Sequence, residues 1–266
     1  MATLPRRVGR AAATTLAAAG FGGALLLLAE VIAARSRRYA TPSLSLAMRT
    51  TVGPAEAPPL RLTLLGDAGA LGVGVDTVDA TLGGQLADLL TTGSGPAGAP
   101  PRRRVELASV AVAGSRSRDL ATQVSRALVG NIPDVAVILI GAGDVTGLHR
   151  SGEAAAHLGA AVRRLRDTGV EVVVGTCPDL GAVRAFAPPL RQLLGWQGRR
   201  LARAQAAAVH AAGGDVVDLA AETGTVFRTD HASLCFDRFH PSADGYRVWA
   251  HALYPAVAAA VVPLQR

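Results

Sequence analysis

Short apolar runs alternate with longer amphipathic stretches from Leu62 to the C-terminus. The short runs are rich in Val, Ile and Leu, as in buried strands, and in the longer stretches apolar residues recur with helical spacing. Strands are predicted at 61–66, 104–112, 134–140, 170–176 and 214–219. Helices are predicted at 79–91, 117–129, 152–168, 190–212 and 243–260. This alternation predicts an α/β three-layer sandwich in which helices cover both faces of a parallel sheet.

The apolar stretch 11–34 is long enough for a helix that crosses a bilayer. We therefore predict an uncleaved membrane anchor within residues 1–40, a linker at 41–60 and one globular domain at 61–266. Glu30, near the end of the stretch, is expected to snorkel towards the interface. We expect the domain to lie outside the cytoplasm, although the charges do not fix the orientation. Arginines flank both ends of the stretch: Arg6, Arg7 and Arg10 before it, and Arg35, Arg37, Arg38 and Arg49 after it.

The formal charge of +7 does not indicate nucleic-acid binding, because the charges are unevenly distributed. Residues 1–60 carry seven arginines and two acids, whereas residues 61–266 carry 20 arginines and 18 acids. Aromatic residues that could stack on bases make up only 4% of the chain. The basic run Arg102–Arg104 is predicted to lie on a solvated loop. We expect no nucleic-acid partner.

Polar and glycine-rich motifs follow the first three predicted strands, and a fourth motif lies near the C-terminus. They are Gly66-Asp67-Ala68-Gly69, Ala113-Gly114-Ser115, Gly141-Ala142-Gly143-Asp144 and Asp237-Arg238-Phe239-His240-Pro241-Ser242. Loops at the carboxyl ends of parallel strands meet at one edge of the sheet, where ligands bind. In order and position the motifs resemble those of the SGNH, or GDSL, family of serine esterases and acyl hydrolases. The resemblance spans roughly residues 60–260, and the C-terminal motif is its most specific part.

The resemblance implies a flavodoxin-like fold with a five-stranded parallel sheet, and no cofactor. It implies that His240 is the general base and that Asp237 orients the imidazole. The N–H groups of Ala68 and Gly114 would be the oxyanion donors. Asp67 and Gly143 lie on the same binding loops.

Two positions depart from the family pattern. Ala68 stands where the family has its nucleophilic serine, and Gly143 stands where it has an asparagine that donates to the oxyanion. Loss of a triad serine costs roughly 10⁶ in rate in a studied protease. We therefore predict a degenerate esterase that retains a pocket for acyl, lipid or glycan groups.

Two alternatives remain open at this point. The chain could be an active hydrolase that uses water activated by His240, with Asp67 or Asp144 as a second carboxylate, or a displaced serine. The candidate serines are Ser115 and Ser117. It could instead be a non-catalytic structural or partner-binding membrane module. The sequence does not set the oligomeric state.

Other candidate residues carry less chemistry. His149, His157, His210, His231 and His251 have no mutual spacing typical of a metal site. Gly72 and Gly74 lack the third glycine of a dinucleotide-binding loop. Cys177 and Cys235 are predicted to be buried free thiols, with a disulfide as the alternative. Three aromatic residues are predicted to lie in the core or the pocket wall: Trp196, Phe227 and Phe236.

Overall fold

A six-stranded mixed sheet forms the centre of the protein. The computed structural model describes residues 22–43, 48–92 and 103–261. The strands are β1 (Arg49–Val52), β2 (Pro59–Gly66), β3 (Arg104–Ser109), β4 (Val135–Leu139), β5 (Glu171–Gly175) and β6 (Asp215–Val217), in the order β1-β3-β2-β4-β5-β6. Strands β2 to β6 are parallel, and β1 pairs antiparallel with β3 at one edge. The five predicted strands are present, and β1 is an addition to the predicted sheet.

Helices cover both faces of the sheet, as the α/β prediction requires. They are α1 (residues 22–36), α2 (Ala68–Leu71), α3 (Leu82–Thr92), α4 (Leu120–Ala127), α5 (Ala142–Thr146), α6 (Ser151–Arg166), α7 (Leu190–Ala211), α8 (Leu219–Thr229) and α9 (Ala243–Val261). One core cluster joins the sheet to α3, α8 and α9, and a second joins the other face to α4, α6 and α7. Successive strand residues supply opposite cores, so that Leu64 belongs to the first cluster and Leu65 to the second.

Two predictions are wrong because of β1. Part of the predicted linker at 41–60 is this strand, and because β1 pairs antiparallel with β3 the sheet is not purely parallel. The sequence of β1, RTTV, is short, polar and half exposed. It is a strand because it pairs with β3, more than 50 residues later in the chain. Helix α8 was also missed: only its first residue, Leu219, falls within a predicted element, the strand 214–219. Asp218 ends that strand and caps α8 by accepting a hydrogen bond from the N–H of Ala221 at 3.1 Å.

Helix α1 packs against the domain. Oε2 of Glu30 accepts a hydrogen bond from the N–H of Leu190, at 2.9 Å, so the expected snorkelling of this side chain is wrong. Within the described ranges, no helix has the length and apolar character needed to cross a membrane. The predicted membrane helix is therefore not found there. Residues 11–21 of the predicted anchor lie outside the described residues, and anchoring stays a prediction.

Several surface predictions are also corrected. Arg102 lies outside the described residues, Arg103 is buried rather than solvated, and Arg104 begins β3. Among the aromatic residues, Phe227 is buried as predicted. Trp196 and Phe236 are exposed by 47% and 77%, so they do not form core or pocket wall.

Candidate active site

Asp237 and His240 form a buried pair in the loop that precedes α9. Nδ1 of His240 lies 2.6 Å from Oδ2 of Asp237. The short loop holds this geometry because Oδ1 of Asp237 accepts hydrogen bonds from the N–H groups of Phe239 and His240, at 2.8 and 2.9 Å. Since Nδ1 is paired, Nε2 is the imidazole nitrogen left for a ligand. The predicted pair is thus assembled with the geometry that a general base requires.

The carboxylate of Asp237 has two further contacts. The N–H of Ala40 donates to Oδ2 at 2.9 Å, and the thiol of Cys235 donates to Oδ1 at 3.1 Å. Burial acts to raise the pKa of Asp237, but the hydrogen bonds from His240, Ala40 and Phe239 outweigh it and hold the pKa well below its usual value. Asp237 is therefore an anion at neutral pH and can stabilise an imidazolium.

The loop that carries Ala68 is fixed on the carboxyl end of β2. The N–H of Asp67 donates to the carbonyl of Leu139, at 3.0 Å. The side chain of Gln123 accepts from the N–H of Gly66 and donates to its carbonyl, at 2.7 and 2.8 Å. Gly66 has a φ of 136°, and a Cβ there would overlap the carbonyl of Leu139. These contacts place Ala68 at the first position of α2, facing the same cavity as His240.

Asp67 is the N-cap of α2. Its Oδ1 accepts a hydrogen bond from the N–H of Gly69, at 3.1 Å. Burial raises its pKa to about 6, and the N–H groups of Gly69 and Gly141 oppose that shift. Asp67 therefore lines the site as a capping group. Its carboxyl group is mainly protonated at pH values below about 6.

The predicted oxyanion residues Ala68, Gly114 and Gly143 all line one cavity. Gly114 adopts a φ of 79°, and the space where its Cβ would lie is open. Gly143 differs, because a Cβ there would lie 2.9 Å from the carbonyl oxygen of Ser115. The loop after β3 thus lies against the position from which the family's asparagine would reach the oxyanion.

The proposed substitute groups are engaged elsewhere. Oδ2 of Asp144 accepts hydrogen bonds from the N–H and the hydroxyl of Ser117, at 3.0 and 2.7 Å. The hydroxyl oxygen of Ser115 accepts from Nε2 of Gln123, at 3.1 Å. Ser115 and Ser117 are both buried. The Ser117 hydroxyl is part of the loop structure, whereas Ser115 also lines the cavity that Ala68 and His240 face.

A largely apolar cavity of about 210 Å³ lies over these loops. Besides the motif residues, its walls include residues that the sequence motifs do not contain, among them Asp179, Thr223, Phe227, Leu234 and Trp249. Sequence reasoning missed Gln123 and also Gln205, whose side chain bridges the carbonyl of Ile140 and the N–H of Cys177, at 2.8 Å each. The signal in the sequence was that each glutamine lies within a predicted helix, Gln123 in 117–129 and Gln205 in 190–212.

The remaining candidates lie apart from the cavity. Cys177 and Cys235 are free thiols, Cys177 buried and Cys235 half-buried. Burial raises the pKa of Cys235 to about 11, which keeps its thiol protonated at neutral pH. Within the described ranges, no cluster of three or more His, Cys, Asp or Glu residues is arranged to hold a metal ion. His149 and His231 contact Arg116 and Arg184, respectively.

Comparison with known proteins matches most of the chain to one family. The model of the GDSL-like Lipase/Acylhydrolase family matches residues 64–248. A relative from Mycobacterium tuberculosis (strain ATCC 25618 / H37Rv), "GDSL-like esterase Rv1075c", is 41% identical over 200 residues. That match covers 74% of this chain and 62% of the relative, so the chain spans less than two thirds of the relative's length.

Solved structures share the fold at low sequence identity. LAE5, an alpha/beta hydrolase enzyme from the metagenome of Lake Arreo, is 20% identical with a TM-score of 0.58, over 77% of this chain and 97% of LAE5. Axe2, an acetylxylan esterase from Geobacillus stearothermophilus, is 20% identical with a TM-score of 0.57, over 76% of this chain and 95% of Axe2. Taken with the family model, these findings show that the chain belongs to the GDSL-like lipase/acylhydrolase family.

Proposed function

We propose that the protein is a degenerate esterase that binds an ester or another acyl-bearing molecule in the 210 Å³ cavity without cleaving it through a serine. The observation that carries this proposal is Ala68, which has no nucleophilic atom, facing the same cavity as the intact Asp237–His240 pair. The M. tuberculosis relative is described as an esterase, which favours an ester ligand over a sugar without acyl groups.

The rate argument favours binding over turnover. After loss of triad residues, oxyanion stabilisation and binding alone leave about 10³–10⁴ over the uncatalysed reaction. Here the oxyanion side chain is absent as well, and one such donor is typically worth about 10²–10³. Ser117 does not compensate, because its hydroxyl donates to Asp144 and it is not among the residues that line the cavity, and the hydroxyl oxygen of Ser115 is engaged by Gln123.

A second candidate is hydrolysis by water activated at His240. The observation that favours it is His240, which lines the cavity: its Nδ1 atom is held by Asp237, and its Nε2 atom has no hydrogen-bond partner among the described residues. General-base assistance alone contributes about 10²–10⁴. The activity would be slow and would depend entirely on His240.

One pair of measurements separates the two candidates. The full chain and its His240→Ala variant are assayed with 4-nitrophenyl butyrate, and binding is followed with phenyl butyrate as a shift in melting temperature. A binding protein gives a concentration-dependent shift and equal background hydrolysis with both chains. Turnover by the wild-type chain that disappears in His240→Ala would instead assign the water mechanism. No shift at any concentration would favour the structural or partner-binding module.

The apolar stretch 11–34 supports a further part of the proposal, namely that the domain is tethered to a membrane, on its extracytoplasmic side. Cell fractionation tests it: a tethered chain stays in the membrane fraction after an alkaline carbonate wash, and removal of residues 1–21, which keeps α1, releases it. Recovery of the full chain in the soluble fraction would contradict tethering.

A further inference from the structure

Helix α1 is apolar around most of its circumference, but only one side of it packs against the domain. Leu27, Val31 and Ala34, which share one side of the helix, pack against a buried cluster that includes residues of α7. On the other side, four side chains are exposed by 50–60%: Leu25, Leu26, Leu28 and Ile32. A helix that is apolar all round is normally covered on every side. The outer side of α1 therefore has no cover among the described residues.

The one charged side chain in the apolar part of α1 is turned towards the domain. Oε2 of Glu30 accepts a hydrogen bond from the N–H of Leu190, at 2.9 Å. This donor lies at the first turn of α7, where the helix dipole favours a negative charge. From residue 22 to residue 34, no other residue is charged. The outer side of α1 is thus free of charge, as contact with lipid acyl chains requires.

The exposed apolar surface continues from α1 onto neighbouring elements. Leu28 lines a groove together with Leu148, which follows α5, and Leu193 of α7, and these two are 64% and 37% exposed. Trp196 lies one turn after Leu193 on α7 and is 47% exposed. The term apolar face is used below for Leu25, Leu26, Leu28, Ile32, Leu148, Leu193 and Trp196. Exposed apolar side chains grouped on this scale mark a surface that binds a protein or a membrane.

Arginines border the apolar face. Arg35, Arg37 and Arg38 follow the apolar part of α1 directly, and all three are exposed. The guanidinium of Arg200 lies over the ring of Trp196, 5.8 Å from its centroid. Tryptophan and arginine side chains are typical of the zone where a protein meets lipid headgroups. An anionic leaflet attracts such arginines, and each one near the surface is worth about fivefold in affinity.

We propose that the apolar face docks on an anionic lipid bilayer, with α1 lying along the bilayer surface. The proposal rests on the proposed membrane tethering, and it adds the surface through which the domain itself contacts lipid. The exposed residues of α1 belong to the apolar stretch 11–34, so a tether formed by this stretch would hold the face next to lipid. Neither a protein partner nor a second copy would account for the continuation of that stretch ahead of α1.

Quenching of Trp196 fluorescence in vesicles tests the proposal. The full chain is reconstituted into vesicles of phosphatidylcholine and phosphatidylglycerol in equal parts, and the phosphatidylcholine carries bromine on its acyl chains near the headgroup. Bromine quenches a tryptophan that it contacts, and the chain has two tryptophans, Trp196 and the buried Trp249. We expect strong quenching that is lost in Trp196→Phe. Replacing phosphatidylglycerol by unbrominated phosphatidylcholine should weaken the quenching, because the arginines then lose their anionic partners.

A charge placed in the apolar face separates docking from tethering. Leu193→Glu lies outside the stretch 11–34, so the variant should still float with the vesicles while most of the quenching of Trp196 is lost. Val129→Glu is the matched control, because Val129 is also an exposed apolar residue, at 74%. It precedes β4 and Leu148 follows β4, so the two lie towards opposite ends of the sheet. Quenching in this control should equal that of the wild-type chain.

The outcomes distinguish docking from tethering. A full chain that floats with the vesicles while Trp196 stays unquenched would overturn docking and leave the tether standing. A full chain that does not float would remove both. Equal quenching in Leu193→Glu and Val129→Glu would show that the apolar face does not make the contact. A dimer that Leu193→Glu dissociates would also overturn the proposal, because a second copy would then cover the face.

Discussion

The main-chain N–H of Ala40 donates a hydrogen bond to Oδ2 of Asp237, at 2.9 Å. The same oxygen accepts from Nδ1 of His240, so a residue 197 positions earlier in the chain helps to hold the Asp237–His240 pair. Ala40 lies outside residues 64–248, the segment that the family model matches. The segment around Ala40 thus contributes directly to the candidate site.

Replacing Ala40 by proline removes this donor, whereas glycine retains it. We expect Ala40→Pro to lower the free energy of unfolding by about 1.5–3 kcal/mol relative to Ala40→Gly, because the lost bond is to a charged group. Urea unfolding near neutral pH measures the difference. The pKa of Asp237 is lowered in the folded protein. The hydrogen bond therefore contributes its full stabilisation at pH values above the ordinary carboxyl pKa. This stabilisation is lost as the pH falls towards the folded-state pKa of Asp237. Equal stability of the two variants would show that the bond contributes nothing.

Asp67 should give the opposite pH dependence. Its folded-state pKa is about 6, above the ordinary value of 3.8, so the folded protein retains a proton that the unfolded chain has lost. Stability therefore falls as the pH rises through this window. Asp67→Asn keeps an oxygen to cap α2 and removes the ionisation. We expect the stability of the variant relative to wild type to rise by about 3 kcal/mol between the two pKa values.

Thermal or urea unfolding across this pH range checks the Asp67 prediction. Asp76→Asn is the control, because Asp76 is an exposed carboxylate only nine residues after Asp67 in the chain. The control should show no comparable change. If the difference in stability between Asp67→Asn and wild type does not change with pH, the pKa of Asp67 is the same in the folded and unfolded protein, and the prediction is wrong.

Restoring the family's asparagine at position 143 should fail. A Cβ there would lie 2.9 Å from the carbonyl oxygen of Ser115, and this neighbour is backbone. We expect Gly143→Asn to lower stability by about 1–3 kcal/mol, the usual cost of overpacking. Gly152→Asn is a matched control, since Gly152 is also helical and has open space at its Cβ. If Gly143→Asn unfolds at the same urea concentration as this control, the Ser115 loop moves aside easily.

Local patterns predicted much of the fold. The strands β2, β4 and β5 are largely buried runs rich in Leu and Val, and β3 alternates buried with half-buried residues; hydrophobic periodicity found all four. Strand β1 could not be found in this way, because its short polar sequence becomes a strand only through pairing with β3. The Asp237–His240 pair was expected from the resemblance of its motif to the family, and its geometry is set within a loop of four residues.

Long-range contacts explain what the sequence did not indicate. The sequence alone gave no reason to join Ala40 to Asp237, or Gln123 to Gly66, because each contact depends on the complete fold. At Gly143 the sequence indicated only a lost hydrogen-bond donor. The contact with the Ser115 loop shows that the space for that donor has also closed.

The most direct test of the central claim is the esterase activity of Ala68→Ser. If the cavity, the Asp237–His240 pair and the backbone donors are intact, kcat for 4-nitrophenyl butyrate should rise by about 10³–10⁴ over wild type, because a triad serine supplies roughly 10⁶ and the missing oxyanion donor removes about 10²–10³. The gain should disappear in Ala68→Ser combined with His240→Ala. An Ala68→Ser protein that folds and binds phenyl butyrate but hydrolyses no ester would contradict the claim that the nucleophile is the missing part.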